Sequence, residues 1–494
     1  MKIAILGAAG RMGRKLCELA PENGLEVVAK VDVADGFDRE WPAETEGVVD
    51  FSHHTAVPAA IDKAARNAQR LSSEQKSLIY SKLDQIYPER KAVLRPLPYQ
   101  AIKADFDLNA GSAILLDANT GYIIYEKNAD QTIPPASMTK LFLIECVMEK
   151  ISRGEARLDQ TIPLGPEAWA SNAPPRSSLM FLGKGQIVTL EELLTGLSVA
   201  SGNDAAAAIA SALFGTMDDF LKDANDLVKA MGLEKTVIVE PSGYSEKNLT
   251  TPREMATFCR LYIKQFPEAL EKFHSIKTFT YPKEKNLPPE QRNRAPQNFS
   301  RGIPDEIWTA FEFENTNKLV DVLPGCDGIK TGYIDESGYN LALTTKRGNE
   351  RFISVTMRGS GKNRAEGDAN RFIDGTKLQE WAHKNFSHYE ASAFSGTEFT
   401  LPLYGSQKMF ARLMAKENRG LCVPKKAKIS VVTNTPKYLF GKIEFGKQYG
   451  SLDIYDGEKL LQKIPLVAAE DSAAANQFVQ RSDEIILRLK GTRR

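Results

Sequence analysis

Three short motifs constrain this chain more than any other feature: Ser137-Met-Thr-Lys140, Ser201-Gly-Asn203 and Lys330-Thr331-Gly332. Each is weak alone. A serine with a lysine three residues on is ordinarily a helix N-cap with an exposed cation one turn later. A second copy, Ser73-Glu-Gln-Lys76, reads as such a solvated helix face. Together the three demand a fold that brings a helix start, a loop and a strand to one point. Pro134 and Pro135 precede the first motif and a helical pattern follows it, so Ser137 sits near a helix N-terminus. Residues i and i+3 of a helix lie about 5–6 Å apart at Cβ, which puts the Lys140 amine within reach of the Ser137 hydroxyl. A serine needs a base beside it to act as a nucleophile. A lysine serves only when burial and nearby positive charge depress its pKa, and Lys330 on a facing strand supplies that charge.

Around these motifs the chain divides into several domains; 494 residues suffice for about three. Residues 1–68 alternate short apolar strands with helices, the order of a Rossmann-like α/β fragment. Residues 69–107 read as a polar helix over 73–86 and an extended linker marked by Pro88, Pro96 and Pro98. Residues 108–386 form the α+β domain that carries the motifs. Asn119-Thr-Gly121 between two apolar runs signals a hairpin. Helices are expected at 137–151, 189–200, 204–213, 216–231, 252–265 and 368–385, and strands at 328–333, 339–346 and 351–357. Residues 387–494 read as a small all-β domain with a basic amphipathic helix over about 474–490.

Residues 108–386 resemble the low-molecular-mass penicillin-binding D-alanyl-D-alanine carboxypeptidases. Beyond the motif order, the likeness rests on residues 134–140 (PPASMTK), 168–170 (AWA), 177–181 (SSLMF), 200–205 (ASGNDA), 327–332 (DGIKTG) and 337–341 (SGYNL). The β-rich segment after 386 resembles that family's C-terminal domain. The resemblance implies a penicillin-binding/β-lactamase-like fold and removal of the terminal D-alanine from peptidoglycan stem pentapeptides through an acyl-enzyme. It implies that Lys140 deprotonates Ser137, that N–H groups of Ser137 and Tyr333 form an oxyanion hole, and that Ser201 relays a proton to the leaving amine. Asn203 would orient the substrate amide, and Lys330, Thr331 and Gly332 would hold the terminal carboxylate. β-Lactams are expected to acylate Ser137, with no metal or cofactor required. A β-lactamase, a D,D-transpeptidase or an endopeptidase would use the same acyl-enzyme. The β-lactamase reading needs a downstream glutamate; the one tempting candidate, Glu240, has Tyr244 where an asparagine belongs and reads as part of an ordinary turn.

Residues 1–68 resemble the start of 4-hydroxy-tetrahydrodipicolinate reductase through Gly7-Ala-Ala-Gly10-Arg11-Met12-Gly13-Arg14 and residues 49–56 (VDFSHHTA). The resemblance implies NAD(P)H binding, with the glycines admitting a pyrophosphate at a helix N-terminus and Asp32 facing the ribose. No counterpart of the reductase's substrate domain follows. The segment is therefore expected to be non-catalytic, with a nucleotide-sensing role as the alternative.

A net charge of +1 gives no global reason to expect a nucleic-acid partner. No apolar run is long enough to span a membrane, and Met1 to Gly10 reads as strand and turn rather than a secretory leader. The family resemblance nevertheless implies a place in the cell envelope, on the periplasmic side of the inner membrane. Cys17, Cys146, Cys259, Cys326 and Cys422 are scattered, which argues against a disulfide framework and a zinc site. The basic terminal helix is the expected point of peripheral membrane contact.

Overall fold

The computed structural model describes residues 2–6, 17, 20–21, 26–31, 47–50, 94–389, 399–415 and 420–489. These fall into two compact units. One contains Met1–Lys91, Glu390–Leu421 and Ala427–Arg494; the other contains Ala92–Tyr389 and Cys422–Lys426.

In the first unit, β1 (Lys2–Leu6), β2 (Glu26–Val31) and β3 (Gly47–Asp50) form a parallel sheet in the order β2-β1-β3. Ile3 and Ile5, on one face of β1 by strand alternation, are buried in a small cluster with Ala20. Gly7, Gly10, Arg11, Met12, Gly13, Asp32, His53 and His54 lie outside the described residues.

The second unit is built on a six-stranded sheet. Its strands are β4 (Arg95–Pro96), β5 (Ser112–Asp117), β6 (Tyr122–Lys127) and, after a long helical excursion, three more. The excursion holds α1 (Lys140–Ser152), α2 (Leu190–Val199), α3 (Asn203–Phe214), α4 (Met217–Ala230) and α5 (Pro252–Gln265). The starts of α2, α4 and α5 are set locally. Thr189, Thr216 and Thr251 each accept from the backbone N–H three residues on, and Glu192 completes a capping box at Thr189. Nine of the thirteen α1 residues are buried, so this helix runs through the core rather than along a surface.

A short hairpin, β7 (Thr278–Tyr281) with β8 (Phe311–Glu314), precedes the sheet's remaining strands. These are β9 (Cys326–Ile334), β10 (Gly338–Arg347) and β11 (Glu350–Gly359), followed by α6 (Arg364–Asn385). The sheet order is β9-β10-β11-β5-β6-β4, so β9 is an edge strand.

Alternation on β11 separates two layers. Ile353, Val355 and Met357 join the helical core, whereas Ser354 accepts from Gln379 Nε2 of α6 at 2.9 Å. Both faces are thus covered, and the β11 interior is buried throughout.

Within residues 108–386 the expected helices and strands appear within a few residues, with one local difference; the helix expected over 73–86 lies outside the described residues. The stretch 136–139 is a 3₁₀ turn that precedes α1 rather than its first turn.

Beyond the second unit's sheet in the sequence, the C-terminal strands form another six-stranded sheet. It contains β12 (Phe399–Tyr404), β13 (Phe410–Ala415), β14 (Ile429–Asn434), β15 (Leu439–Phe440), β16 (Gln448–Asp456) and β17 (Lys459–Ala468). Their order is β14-β16-β17-β13-β12-β15. A helix, α7 (Gln477–Leu489), follows. Asp483 accepts from Gly405 N at 2.7 Å and Leu487 is buried, yet Phe478 is 80% and Leu489 82% exposed.

Candidate active site

Ser137 lies in the 3₁₀ turn, and Lys140 is the first residue of α1. The turn is held from three sides. Ala136 adopts φ 51°, a left-handed conformation that a non-glycine residue keeps only when its surroundings enforce it. Asn340 Nδ2 of β10 donates to Pro134 O at 3.1 Å. Gly332 of β9 comes so close that a Cβ there would sit 2.5 Å from Pro135 O. Gly243 (φ +79°) closes the opposite side, where a Cβ would fall 1.8 Å from Ala136 O. The glycine of the third motif therefore exists for close approach of two backbones.

Lys140 is fully buried. Its Nζ lies 3.0 Å from Ser137 Oγ, 2.7 Å from Asn203 Oδ1 and 2.5 Å from Ser242 O. The last two partners can only accept. They take two amine protons, and the remaining position faces the serine hydroxyl. A neutral amine satisfies that arrangement by accepting the Ser137 proton. Burial drives the Lys140 pKa down to about 7, with Glu240 and Asp204 opposing the shift. The amine can thus be neutral near physiological pH while retaining enough basicity to take a proton.

The second motif supplies the roof of the site. Ser201 has φ 60°, which turns its hydroxyl toward Lys330 Nζ at 3.0 Å. Asn203 Nδ2 donates to Ser177 Oγ at 3.2 Å. Asp204, buried one residue on, accepts from Met180 N and Leu182 N, each at 3.0 Å. It thereby fastens the segment bearing Ser177 to the start of α3. Burial raises the Asp204 pKa and these backbone bonds oppose the rise.

Lys330, Gly332 and the register partners Ala342 and Asn340 share one face of the sheet, the face toward Ser137. Burial, with Lys140 and then Arg371 as further causes, holds the Lys330 amine well below the usual lysine range. Its partners are Ser201 Oγ and Thr331 O. Alternation turns the Thr331 and Tyr333 side chains to the other side of β9. Tyr333 is 45% exposed and its hydroxyl donates to Asp335 at 2.7 Å.

Of the residues singled out from sequence, the structure links Ser137, Lys140 and Asn203 directly, and Ser201 with Lys330. Gly332 meets the nucleophile's turn through its backbone. Glu240 is more than part of an ordinary turn. Its carboxylate accepts from Ser242 N (2.7 Å), Ser242 Oγ (2.6 Å), Gly243 N (2.6 Å) and Asn248 Nδ2 (2.5 Å). This carboxylate shapes the loop that aims the Ser242 carbonyl at Lys140. Sequence reading missed Ser242 and Gly243; the Pro-Ser-Gly turn after Glu240 was the available signal. Among the described residues no group of acidic, histidine or cysteine side chains could hold a metal ion.

Comparison with known proteins bears on the family of the chain. Residues 99–361 match a family described as D-alanyl-D-alanine carboxypeptidase, and residues 1–71 match dihydrodipicolinate reductase, N-terminus. The chain is 28% identical over 379 residues to D-alanyl-D-alanine carboxypeptidase DacF of Bacillus subtilis, covering 76% of this chain and 89% of the relative. It is 29% identical over 389 residues to DacA of Haemophilus influenzae, covering 78% and 90%. Among solved structures, penicillin-binding protein 5 of Haemophilus influenzae superposes with a TM-score of 0.63 at 26% identity, covering 75% of this chain and all of the other.

Proposed function

The chain belongs to the D-alanyl-D-alanine carboxypeptidase family, and from that membership we propose that it removes the terminal D-alanine from peptidoglycan stem peptides by way of a Ser137 acyl-enzyme. The observation that carries the proposal is the fully buried Lys140 amine 3.0 Å from Ser137 Oγ, between two fixed acceptors. Neutral Lys140 takes the hydroxyl proton as Oγ attacks the carbonyl of the penultimate D-alanine. The N–H groups of Ser137 and Tyr333 stabilise the oxyanion. Ser201 passes a proton to the departing amine, and Lys330 holds the substrate's terminal carboxylate beside Gly332, with Thr331, whose side chain leaves β9 on the opposite face, reaching it around the free edge of the strand. Asn203 keeps Lys140 in line and meets the substrate amide. Water then hydrolyses the acyl-enzyme without a cofactor, and β-lactams acylate the same oxygen.

The Glu240 carboxylate is already occupied by its own loop, which favours a peptidase over a β-lactamase that needs a free glutamate for deacylation. The test is D-alanine release from a peptide ending in D-Ala-D-Ala, with Ser137→Ala as control. Release that persists in the variant would remove Ser137 from the mechanism.

The setting of this reaction is the cell envelope. Among the described residues no helix is long and apolar enough to cross a membrane. The exposed apolar residues Phe478, Ile485, Ile486 and Leu489 on α7 favour peripheral attachment. Equal co-sedimentation with anionic vesicles after truncation at Ser472 would refute that role. The front segment is non-catalytic in this reading. Its parallel sheet supports the alternative of a nucleotide-sensing module, which an NAD(P)H titration of the intact chain without saturation would exclude.

A further inference from the structure

The cleft of Ser137 has two walls, and one ion pair joins them at its mouth. On one side is the segment Pro174-Pro-Arg-Ser177, whose Ser177 hydroxyl accepts from Asn203. On the other is the turn after β9. Arg176 reaches from the first to Asp335 in the second, with Nη1 3.1 Å from Oδ2. Asp335 also accepts from the Tyr333 hydroxyl at 2.7 Å. Arg176 is 84% exposed on its side chain and stands at φ 64°. A guanidinium has five N–H donors, and one is engaged here, so donors remain for a second anion.

The site fixes the direction in which a peptide passes these groups. Lys330, bonded to Ser201, marks the place of the terminal carboxylate. Gly332, packed on the turn of Ser137, marks the scissile carbonyl one substrate residue upstream. A ligand strand whose C-terminus lies at Lys330 and whose preceding residue lies at Gly332 runs antiparallel to β9. That edge of β9 has no partner strand among the described residues, so it can take an added strand. At about 3.4 Å per residue, the next upstream residue lies beside Tyr333, and a carboxylate on an extended side chain there points along the free edge toward Asp335 and the Arg176 guanidinium that caps it.

We propose that Arg176 is a specificity-determining residue that binds a carboxylate on the substrate residue preceding D-Ala-D-Ala, exchanging its bond to Asp335 for one to the substrate. This rests on the peptidase reading above. Asp335 keeps the Tyr333 hydroxyl when Arg176 leaves it, so the exchange strands no carboxylate without a donor.

The test compares two isosteric peptides, acetyl-Glu-D-Ala-D-Ala and acetyl-Gln-D-Ala-D-Ala, by kcat/KM for D-alanine release from the intact chain. The Glu peptide is preferred by about three- to tenfold, the range for a charge-assisted bond at an exposed cation. The preference lies in KM and shrinks as salt is raised. Arg176→Gln brings the ratio to about one, Arg176→Lys keeps part of it, and Asp335→Asn enlarges it by freeing the guanidinium. A Glu/Gln ratio that survives Arg176→Gln, or wild-type enzyme that shows no preference, overturns the proposal. If neither peptide releases D-alanine, the peptidase reading fails instead. The same ratio is then read from protection of Ser137 against benzylpenicillin acylation.

Discussion

Replacing Asn203 with aspartate tests the role of Lys140 directly. Asn203 Oδ1 accepts from Lys140 Nζ at 2.7 Å, so the variant places a carboxylate against an amine whose pKa burial has lowered to about 7. An opposite charge at that distance raises an amine pKa by about 1–3 units, to roughly 8–10. At pH 7 the neutral fraction then falls from about one half to between about one tenth and one thousandth, a loss of roughly 5- to 500-fold in acylation rate. The sign follows from the base's role, since only the unprotonated amine accepts the hydroxyl proton. Raising the pH should therefore restore the variant, and its acidic limb should move to higher pH than that of the wild type. The assay is the rate of Ser137 acylation by a fluorescent penicillin from pH 5 to 10. A rate loss equal at every pH would refute the reasoning, because it would mean that Asn203 acts through substrate contact or loop packing and not through the Lys140 proton.

Other consequences can be measured. Gly243→Ala forces a Cβ to within 1.8 Å of Ala136 O at a φ of +79°; a loss of about 3 kcal/mol or more is expected, and an unchanged urea midpoint would show that the loop moves aside freely. Lys330 sits well below the usual lysine range through burial and its cationic neighbours, so an arriving carboxylate should raise its pKa and draw in a proton. Titration calorimetry of Ser137→Ala with acetyl-D-Ala-D-Ala over a pH series should show buffer-dependent heat that Lys330→Gln removes, and affinity should weaken as pH rises. Heat independent of the buffer would count against that account. Asp204→Asn leaves two inward-facing backbone N–H groups competing for one carbonyl oxygen. Protease cleavage near 177–182 should speed up, and wild-type resistance there would dismiss Asp204 as an anchor.

The sequence displays this site where side chains must keep fixed spacing and hides it where backbone does the work. Ser137 and Lys140 are legible because a nucleophile and its base need one helical turn between them. Lys330 and Gly332 are legible because both must occupy one face of a strand. Ser242 contributes only a carbonyl, and any residue carries one. Its position depends on Glu240, whose carboxylate is spent on neighbouring N–H groups. Helical periodicity likewise extends through 137–151 because the apolar spacing is continuous, yet the turn at Ala136 tightens to 3₁₀ where β9 and Gly243 press on it. The hairpin of β7 and β8 escapes pattern reading because residues 282–310 separate two four-residue strands that carry no tight-turn signal. Asp204 was visible as a residue but not as an anchor, since nothing local indicates that Met180 and Leu182 are its partners.

The sheet order has a consequence for how the molecule reaches this state. β5 pairs with β11, so Asp117 opposes Phe352 although 235 positions separate them (352 − 117). Ser137 and Lys330 are separated by 193 (330 − 137). Such distant pairings cost chain entropy before they return stability, and they slow folding. A partly folded chain that has formed α1 to α5 holds the nucleophile and its base but lacks β9, and with it the wall that carries Lys330 and Tyr333. Covalent labelling by penicillin during refolding should therefore lag behind the recovery of helical circular dichroism, making the reactive serine a clock for the last sheet strands to arrive.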